Sequence, residues 1–242
     1  MSVKNENTLP TFETPICTFL VLENHKNLSQ EDFEVQKIIG TGSFSTVKLV
    51  NLKSLPNRIL ALKLISKSEV LRTQHASQLN QEHRICKKLN HPFIVKFFRS
   101  FQDPLSVCLL FEFVNGGELF DLISRKLVFA ESWAKFYAAE TLLALRHLHD
   151  LNILYRDLKS ENILIAQNGH IKLIDFGFAK VFDQTRARTL CGTPEYMAPE
   201  MLLKGNSGYN HTIDFWALGI LVFEMVAGSI YQQLTFCSRH SH

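Results

Sequence analysis

Asp157, Asn162 and Asp175 are the residues of this chain best placed to do chemistry together. They lie in one run, YRDLKSENILIAQNGHIKLIDFG, from Tyr155 to Gly177. Between them, Ile163 alternates with Ile165 and Ile171 with Leu173 on either side of Asn168-Gly169, a dipeptide that tolerates the positive φ angles of a tight turn. The pattern predicts a short hairpin. It would bring a candidate base, Asp157, and two candidate Mg²⁺ ligands, Asn162 and Asp175, into one local unit. A base beside hard oxygen donors is the equipment that phosphoryl transfer requires.

Other elements must position that unit. Phe33 to Ile39 and Lys48 to Val50 read as strands around a glycine turn, Gly40-Thr41-Gly42-Ser43-Phe44-Ser45. Lacking a Cβ, Gly40 and Gly42 let backbone N–H groups close over phosphates, although Gly-x-Gly turns are common in hairpins of every kind. Ile59 to Leu64 is the next strand, and alternation places Lys63 on the face of Ala61 and Ile59, among apolar residues. Its ammonium needs an anion there, unless it snorkels at a sheet edge. Gln74 to Leu89 predicts a helix with Leu79, Glu82, Ile85, Cys86 and Leu89 at spacings of three and four. Glu82 falls on or beside the buried stripe, where an unpaired carboxylate is costly, so a Lys63–Glu82 ion pair would satisfy both. Strands over Ile94–Phe101 and Val107–Phe113 complete a five-stranded sheet, and Asn115-Gly116-Gly117 is a hinge-like breaker. From Phe129 to His149 the chain is helical, with Trp133, Phe136, Tyr137, Ala144 and Leu148 on or near one side, a stripe that reads as core. A last apolar helix is expected over about Thr212–Ala227.

Composition bounds the rest. The chain has 242 residues, 46% hydrophobic and 20% charged, which fits one large or two-lobed globular domain. An excess of 26 basic over 23 acidic residues is too small to point to nucleic acid or a membrane surface. The five cysteines lie far apart with no C-x-x-C pair, so neither a disulfide framework nor a zinc site is expected, and a cytoplasmic or nuclear setting fits best. No apolar run approaches the roughly 20 residues of a membrane span. MSVKNENTLP lacks a signal pattern, and Ser2 is not a myristoylation glycine. Residues 1–32 read as a polar extension in which only Ile16 to Leu22 can bury.

Taken in order, the glycine turn, A-L-K at Lys63, Glu82, YRDLKSEN, D-F-G at Asp175 and A-P-E at Ala198-Pro199-Glu200 resemble the motifs of protein kinases. Tyr155 stands for the first His of the catalytic-loop pattern, and Ser45 for the third glycine of the loop. GTGSF, HPFIVKFFRSF, FYAAE, YRDLK, DFGFAK, TLCGTPEYMAPE and DFWALGI resemble the AGC group of Ser/Thr kinases, in the branch of the cyclic-AMP-dependent catalytic subunits. GSFSTV is instead similar to the phosphoinositide-dependent kinase. The resemblance covers about Phe33 to Gly228. It implies an α+β, two-lobed fold: an N-lobe over 33–113 with a five-stranded sheet and one main helix, and a partial helical C-lobe over 114–228.

The resemblance also assigns roles. It implies ATP and Mg²⁺ as cofactors, with Asp157 accepting or orienting the substrate hydroxyl proton, Lys159 stabilising the transferring group and pointing to Ser/Thr targets, and Asn162 and Asp175 holding the metal. Nucleotide would contact Ile39, Gly40, Thr41, Gly42, Ser43 and Phe44, with Lys63 paired to Glu82 on the phosphates. Adenine would lie between Val47 and Ala61 above and Leu164 below, with backbone bonds at Glu112 and Val114 and Phe111 behind. Glu118, at the edge of this site, would join Glu161 and Glu224 in reading Arg upstream of the target Ser/Thr; a carboxylate facing a helix dipole is the plainer reading of Glu118. Thr189 matches the activation-loop phosphosite, for an upstream kinase to modify and for Arg156 and Lys180 to hold, while Gln78 replaces a basic helix residue common among the relatives. A regulatory subunit is implied as a partner. After Gly228 the resemblance stops: residues 229–242 have no counterpart, and the further helices, the C-terminal tail and the arginine expected to pair Glu200 do not follow. Two readings result: an active Ser/Thr kinase, or a truncated, catalytically weak or inactive nucleotide-binding or regulatory fragment.

Overall fold

A computed structural model describes residues 28–182, 187–202 and 208–228. Most of the expected N-terminal extension, including Ile16–Leu22, and the tail 229–242 lie outside the described residues. Strands β1 (Phe33–Thr41), β2 (Ser45–Leu52), β3 (Leu55–Ser66), β4 (Phe97–Gln102) and β5 (Ser106–Glu112) form an antiparallel sheet in the order β1-β2-β3-β5-β4. Period-two alternation gives β3 two faces. Leu60 and Leu62 join Phe33, Val50, Leu52, Cys108 and Leu110 in a cluster on one side, while Ile65 packs into the main core on the other. Lys63 is cross-strand from Val47 on β2 and Leu109 on β5.

Helix α1 (Lys67–Arg72) starts at Ser66, whose hydroxyl accepts the Glu69 N–H, and helix α2 (Ala76–Lys88) follows. The helix expected from Gln74 starts two residues later because Gln74 itself has φ +60°, which breaks the run between α1 and α2. The strand expected from Ile94 begins only at Phe97. The reason is a competing partner: Val95 N–H donates to the Leu173 carbonyl at 3.0 Å and Leu173 N–H to the Phe93 carbonyl at 2.8 Å, so residues 93–95 pair with the other lobe.

Beyond the hinge come α3 (Leu119–Lys126), α4 (Glu131–Asp150), β6 (Ile153–Leu154), β7 (Ile163–Ile165), β8 (Ile171–Leu173), β9 (Lys180–Val181), α5 (Pro199–Leu202) and α6 (Thr212–Ala227). β7 and β8 form the expected hairpin, Ile163 opposite Leu173 and Ile165 opposite Ile171. Its connection is wider than a two-residue turn. Ala166 N–H bonds the His170 carbonyl, Gly169 N–H bonds the Ala166 carbonyl, and only Gly169, at φ +84°, is left-handed. In α4 the buried face is Ala134, Tyr137, Glu140, Thr141, Ala144, Leu145 and Leu148, whereas Trp133 and Phe136, expected in the core stripe, are 44% and 43% exposed. Each is rotated one position off that face. Trp133 packs edge-on to Phe129 under Lys126, and Phe136 lies against His170. α6 is mostly apolar on every side but buries only Ile213, Asp214, Ala217, Leu221, Glu224 and Met225, two of them carboxylates.

One hydrophobic core runs through both lobes, from Ile65, Ile85 and Leu109 through Leu119, Leu145 and Ile163 to Phe176, Leu221 and Met225. The hinge crosses it at a tight point. Gly116 N–H donates to the Ile165 carbonyl at 2.9 Å, and a Cβ on Gly116 would stand 2.1 Å from that oxygen. Gly116→Ala is therefore expected to cost about 1–3 kcal/mol of stability in guanidinium denaturation; an unchanged midpoint would show that the hinge can give way freely.

Candidate active site

The lysine that alternation left without an anion has two. Lys63 Nζ lies 2.7 Å from Glu82 Oε1, on α2, and 3.2 Å from Asp175 Oδ1, in the segment after β8. Burial alone would discharge Lys63, but the two carboxylates outweigh it and hold its pKa above the ordinary value. Burial likewise opposes ionisation of Asp175, and Lys63 with the Gly177 N–H, 3.2 Å from Oδ1, more than compensates, so its pKa is lowered. The Asp175 side chain remains 49% exposed, and its backbone sits at φ +54°.

Asp157 is buried and held on both oxygens. Thr193 Oγ1 donates to Oδ1 at 2.9 Å, and Asn162 Nδ2 donates to both Oδ2 and the Asp157 carbonyl at 2.8 Å. With the Asn162 amide hydrogens so used, its side-chain oxygen faces away from Asp157. Lys159 Nζ donates to Thr193 Oγ1 at 2.9 Å and lies 3.4 Å from Asp157 Oδ2. Asn162 is tied to the other half of the hairpin, since its carbonyl accepts the Ile174 N–H at 2.9 Å. Thus Asp157, Lys159 and Asn162 form one bonded group, and Lys63, Glu82 and Asp175 another.

The support of this loop was not evident from the chain's motifs. Asp214, 1% exposed at the start of α6, accepts the Tyr155 N–H at 3.0 Å and the Arg156 N–H at 2.8 Å, and pairs with His149 Nε2 at 2.8 Å. It thereby fixes the loop where Arg156 takes φ +70°. A carboxylate opening a mostly apolar helix was the available signal, because such a group must find donors. Tyr155 is fully buried. Its hydroxyl donates to the Ile174 carbonyl at 2.5 Å and its ring meets Phe176 edge-on at 5.6 Å, so it braces the residues just before and after Asp175.

The nucleotide-binding candidates line up on β1 to β3 and the hinge. Ile39, Gly40 and Thr41 end β1, Gly42, Ser43 and Phe44 form the turn, where Gly42 N–H bonds the Ser45 carbonyl at 2.8 Å, and Val47 and Ala61 lie on adjacent strands, Ala61 opposite Phe111. The Phe44 ring is turned to His75, 5.2 Å away at the start of α2. The Glu112 carboxylate accepts the Lys96 N–H and pairs with Lys172 of β8, each at 2.7 Å, while Val114 is buried and Leu164 bridges to Glu118. Glu118 occupies the N-cap of α3 without a capping bond from its side chain. A cavity of about 680 Å³ on the outer side of the glycine turn is lined by Lys48, Leu64, Glu69 and Asp103 among others, and includes none of Lys63, Glu82, Asp157 or Asp175.

Residues 33–237 match the protein kinase domain family. The chain belongs to that family. This kinase domain is 46% identical over 199 residues to a cAMP-dependent protein kinase catalytic subunit of Arthrobotrys oligospora, covering 82% of this chain and 37% of the relative. It is 47% identical over 198 residues to the cAMP-dependent protein kinase catalytic subunit of Dictyostelium discoideum (82% and 30%). It is 41% identical over 222 residues to ribosomal protein S6 kinase 2 alpha of Xenopus laevis (90% and 30%). The chain thus spans about a third of the length of these relatives, and its two lobes and mixed α+β architecture are those of the family.

Thr189, Glu118, Glu161 and Glu224 lie among the described residues of the kinase domain. Thr189 is exposed, and its carbonyl accepts the Tyr209 hydroxyl at 2.6 Å. Arg156 donates to the Tyr209 hydroxyl and to the Phe178 carbonyl. Burial, then Asp121 and Glu161, raise the pKa of Glu118; burial, then Glu161, raise that of Glu224 against the bond it accepts from the Tyr196 hydroxyl. Glu200, without the expected arginine among the described residues, accepts the Thr212 hydroxyl at 3.4 Å. Among the described residues no helix is long and apolar enough to cross a membrane, and no cluster of three or more His, Cys, Asp or Glu side chains is arranged for a metal.

Asp214→Ala would strand two backbone N–H groups and His149. A loss of about 3 kcal/mol or more is expected in urea denaturation, and a smaller one for Asp214→Asn, which keeps one acceptor oxygen. Equal, negligible losses in both would mean that α6 does not support the loop.

Proposed function

We propose that this kinase domain transfers the γ-phosphate of ATP to a Ser or Thr hydroxyl of a protein substrate. The observation that carries the reading is the Asp157 carboxylate, fixed on both oxygens by Thr193 and Asn162 with the Lys159 ammonium 3.4 Å away. A base so oriented takes the hydroxyl proton without first reorganising, and Lys159 offsets charge gained by the transferring group. Lys63, already charged between Glu82 and Asp175, supplies a fixed cation for the α- and β-phosphates. Asn162 and Asp175 offer oxygen donors only, the type Mg²⁺ takes, and Mg²⁺ is commonly held by one or two carboxylates together with phosphate oxygens and water. Bound MgATP supplies the phosphoryl group and neutralises its oxygens.

The glycine turn supports the same reading. Gly40 has no positive φ, and a Cβ there would meet only the Val47 side chain, at an ordinary 3.7 Å. Its own fold does not require glycine at that position; a ligand beneath the strand would. Adenine then rests against Val47, Ala61 and Leu164, with Glu112 and Val114 offering backbone groups and Phe111 limiting the pocket behind.

Substrates carry basic residues upstream of the target, read by Glu118, Glu161 and Glu224. An upstream kinase modifies Thr189, whose phosphate Arg156 and Lys180 would hold through charge-assisted bonds. The names of the relatives support a regulatory subunit as a further partner, and the free cysteines Cys86, Cys108 and Cys191 support a cytoplasmic or nuclear setting.

The test is transfer of labelled phosphate from ATP to an Arg-rich peptide by the purified chain. Asp157→Asn is expected to lower kcat by about 10²–10⁴-fold while nucleotide binding persists. Stabilisation by MgATP with no turnover in the wild type would contradict transfer and leave only a binding module. Because Glu118 holds its proton to a higher pH than the ordinary 4.5, its negative charge is lost early as pH falls. The KM of an Arg-containing peptide should therefore rise from a point above that value downward. Glu118→Gln should raise that KM about tenfold at pH 7 and abolish this part of the pH dependence; an unchanged KM would remove Glu118 from peptide recognition.

A further inference from the structure

Three consecutive carbonyls directly after Asp175-Phe176 are each held by a side chain. Gly177 O accepts Gln78 Nε2 at 2.7 Å, Phe178 O accepts Arg156 Nε at 2.7 Å, and Ala179 O accepts Gln81 Nε2 at 2.6 Å. Gln78 and Gln81 lie three apart on α2, and Glu82 is four beyond Gln78, so one helix face carries the acid that pairs Lys63 and both amides that grip the segment. All three contacts end on main-chain oxygens. None uses Thr189, which is exposed and, among the described residues, is engaged through its carbonyl by Tyr209. Where a basic residue at position 78 would offer a charge to a loop phosphate, Gln78 offers a neutral donor to the backbone.

We propose that Gln78 and Gln81 are positioning residues. They dock helix α2 on the segment after Asp175 so that the Lys63–Glu82 pair is assembled without phosphate on Thr189. A phosphate on Thr189 then acts on peptide binding and loop order, on the Arg156 and Lys180 side, and not on the position of α2. The kinetic consequence rests on the function proposed above; the structural one does not.

The test uses the full chain with Gln78→Met and Gln81→Met combined, which keeps side-chain length and removes both donors. In nucleotide-free protein, amide hydrogen exchange at residues 176–182 and in α2 should quicken about tenfold or more, while α4 and α6 keep wild-type rates. Gln78→Lys with Gln81 intact restores a donor of similar reach and should return exchange toward wild type. In turnover, Thr189→Ala alone should raise peptide KM and leave kcat within about threefold. The Met/Met change by itself should cost kcat about tenfold or more, and Thr189→Ala added to it should lower kcat by no more than it does alone. Unaltered exchange at 176–182, or acceleration spread evenly over all helices, would overturn the proposal. So would a tenfold kcat loss from Thr189→Ala with both glutamines present. Absence of turnover in the wild type would count against the proposed function, and exchange would then decide the docking role alone.

Discussion

The Lys63 ammonium, largely withdrawn from water between Glu82 and Asp175, is the contact on which the arrangement of both lobes turns. Its three members come from β3, α2 and the segment after β8, so satisfying one charge sets the position of a sheet, a helix and a loop at once. A buried ion pair is a poor source of net stability, because desolvation consumes most of the Coulomb gain. Removing one partner is nevertheless costly, since it leaves the other charge uncompensated. The group therefore selects one relative placement of the lobes more than it stabilises the fold. The glutamine contacts of α2 and the pairing of residues 93–95 with β8 act in the same direction.

A second buried acid does for the catalytic loop what Glu82 does for Lys63. Asp214 gathers two successive backbone N–H groups and an imidazole, and next to it Arg156 occupies a left-handed conformation that a long side chain seldom adopts. Asp175 is left-handed too, and is held by Lys63 and by the N–H of Gly177. Both strained backbones flank residues of the proposed phosphoryl-transfer site, and both are over-determined by hydrogen bonds that need no ligand. Preorganisation of this kind is what a reaction governed by positioning and charge requires.

Much of this was legible from local pattern. The β7–β8 hairpin and the glycine hairpin follow from period and turn chemistry, the bounds of α6 follow from an apolar run, and the Lys63–Glu82 pair follows from asking where two awkward charges could go. What stayed hidden depends on contacts between distant parts of the chain. Asp214 and His149 lie 65 residues apart, and nothing near either announces the other. Thr193 gives no local sign that it will bridge Asp157 and Lys159. The start of β4 was misjudged because residues 93–95 are as apolar as a strand should be, yet their backbone finds β8 first. Trp133 and Phe136 share a side with Tyr137, Ala144 and Leu148 only approximately, and the buried line runs one position further on, through Ala134 and Tyr137.

If Lys63 is prearranged to receive phosphates, calorimetric titration of ATP into the purified chain measures this most directly. The expected result is saturable one-to-one binding that requires Mg²⁺ and weakens about tenfold or more in Lys63→Met, as loss of a charge-assisted contact implies. Binding that ignores both Mg²⁺ and Lys63, or no saturable heat in the folded wild type, would contradict it.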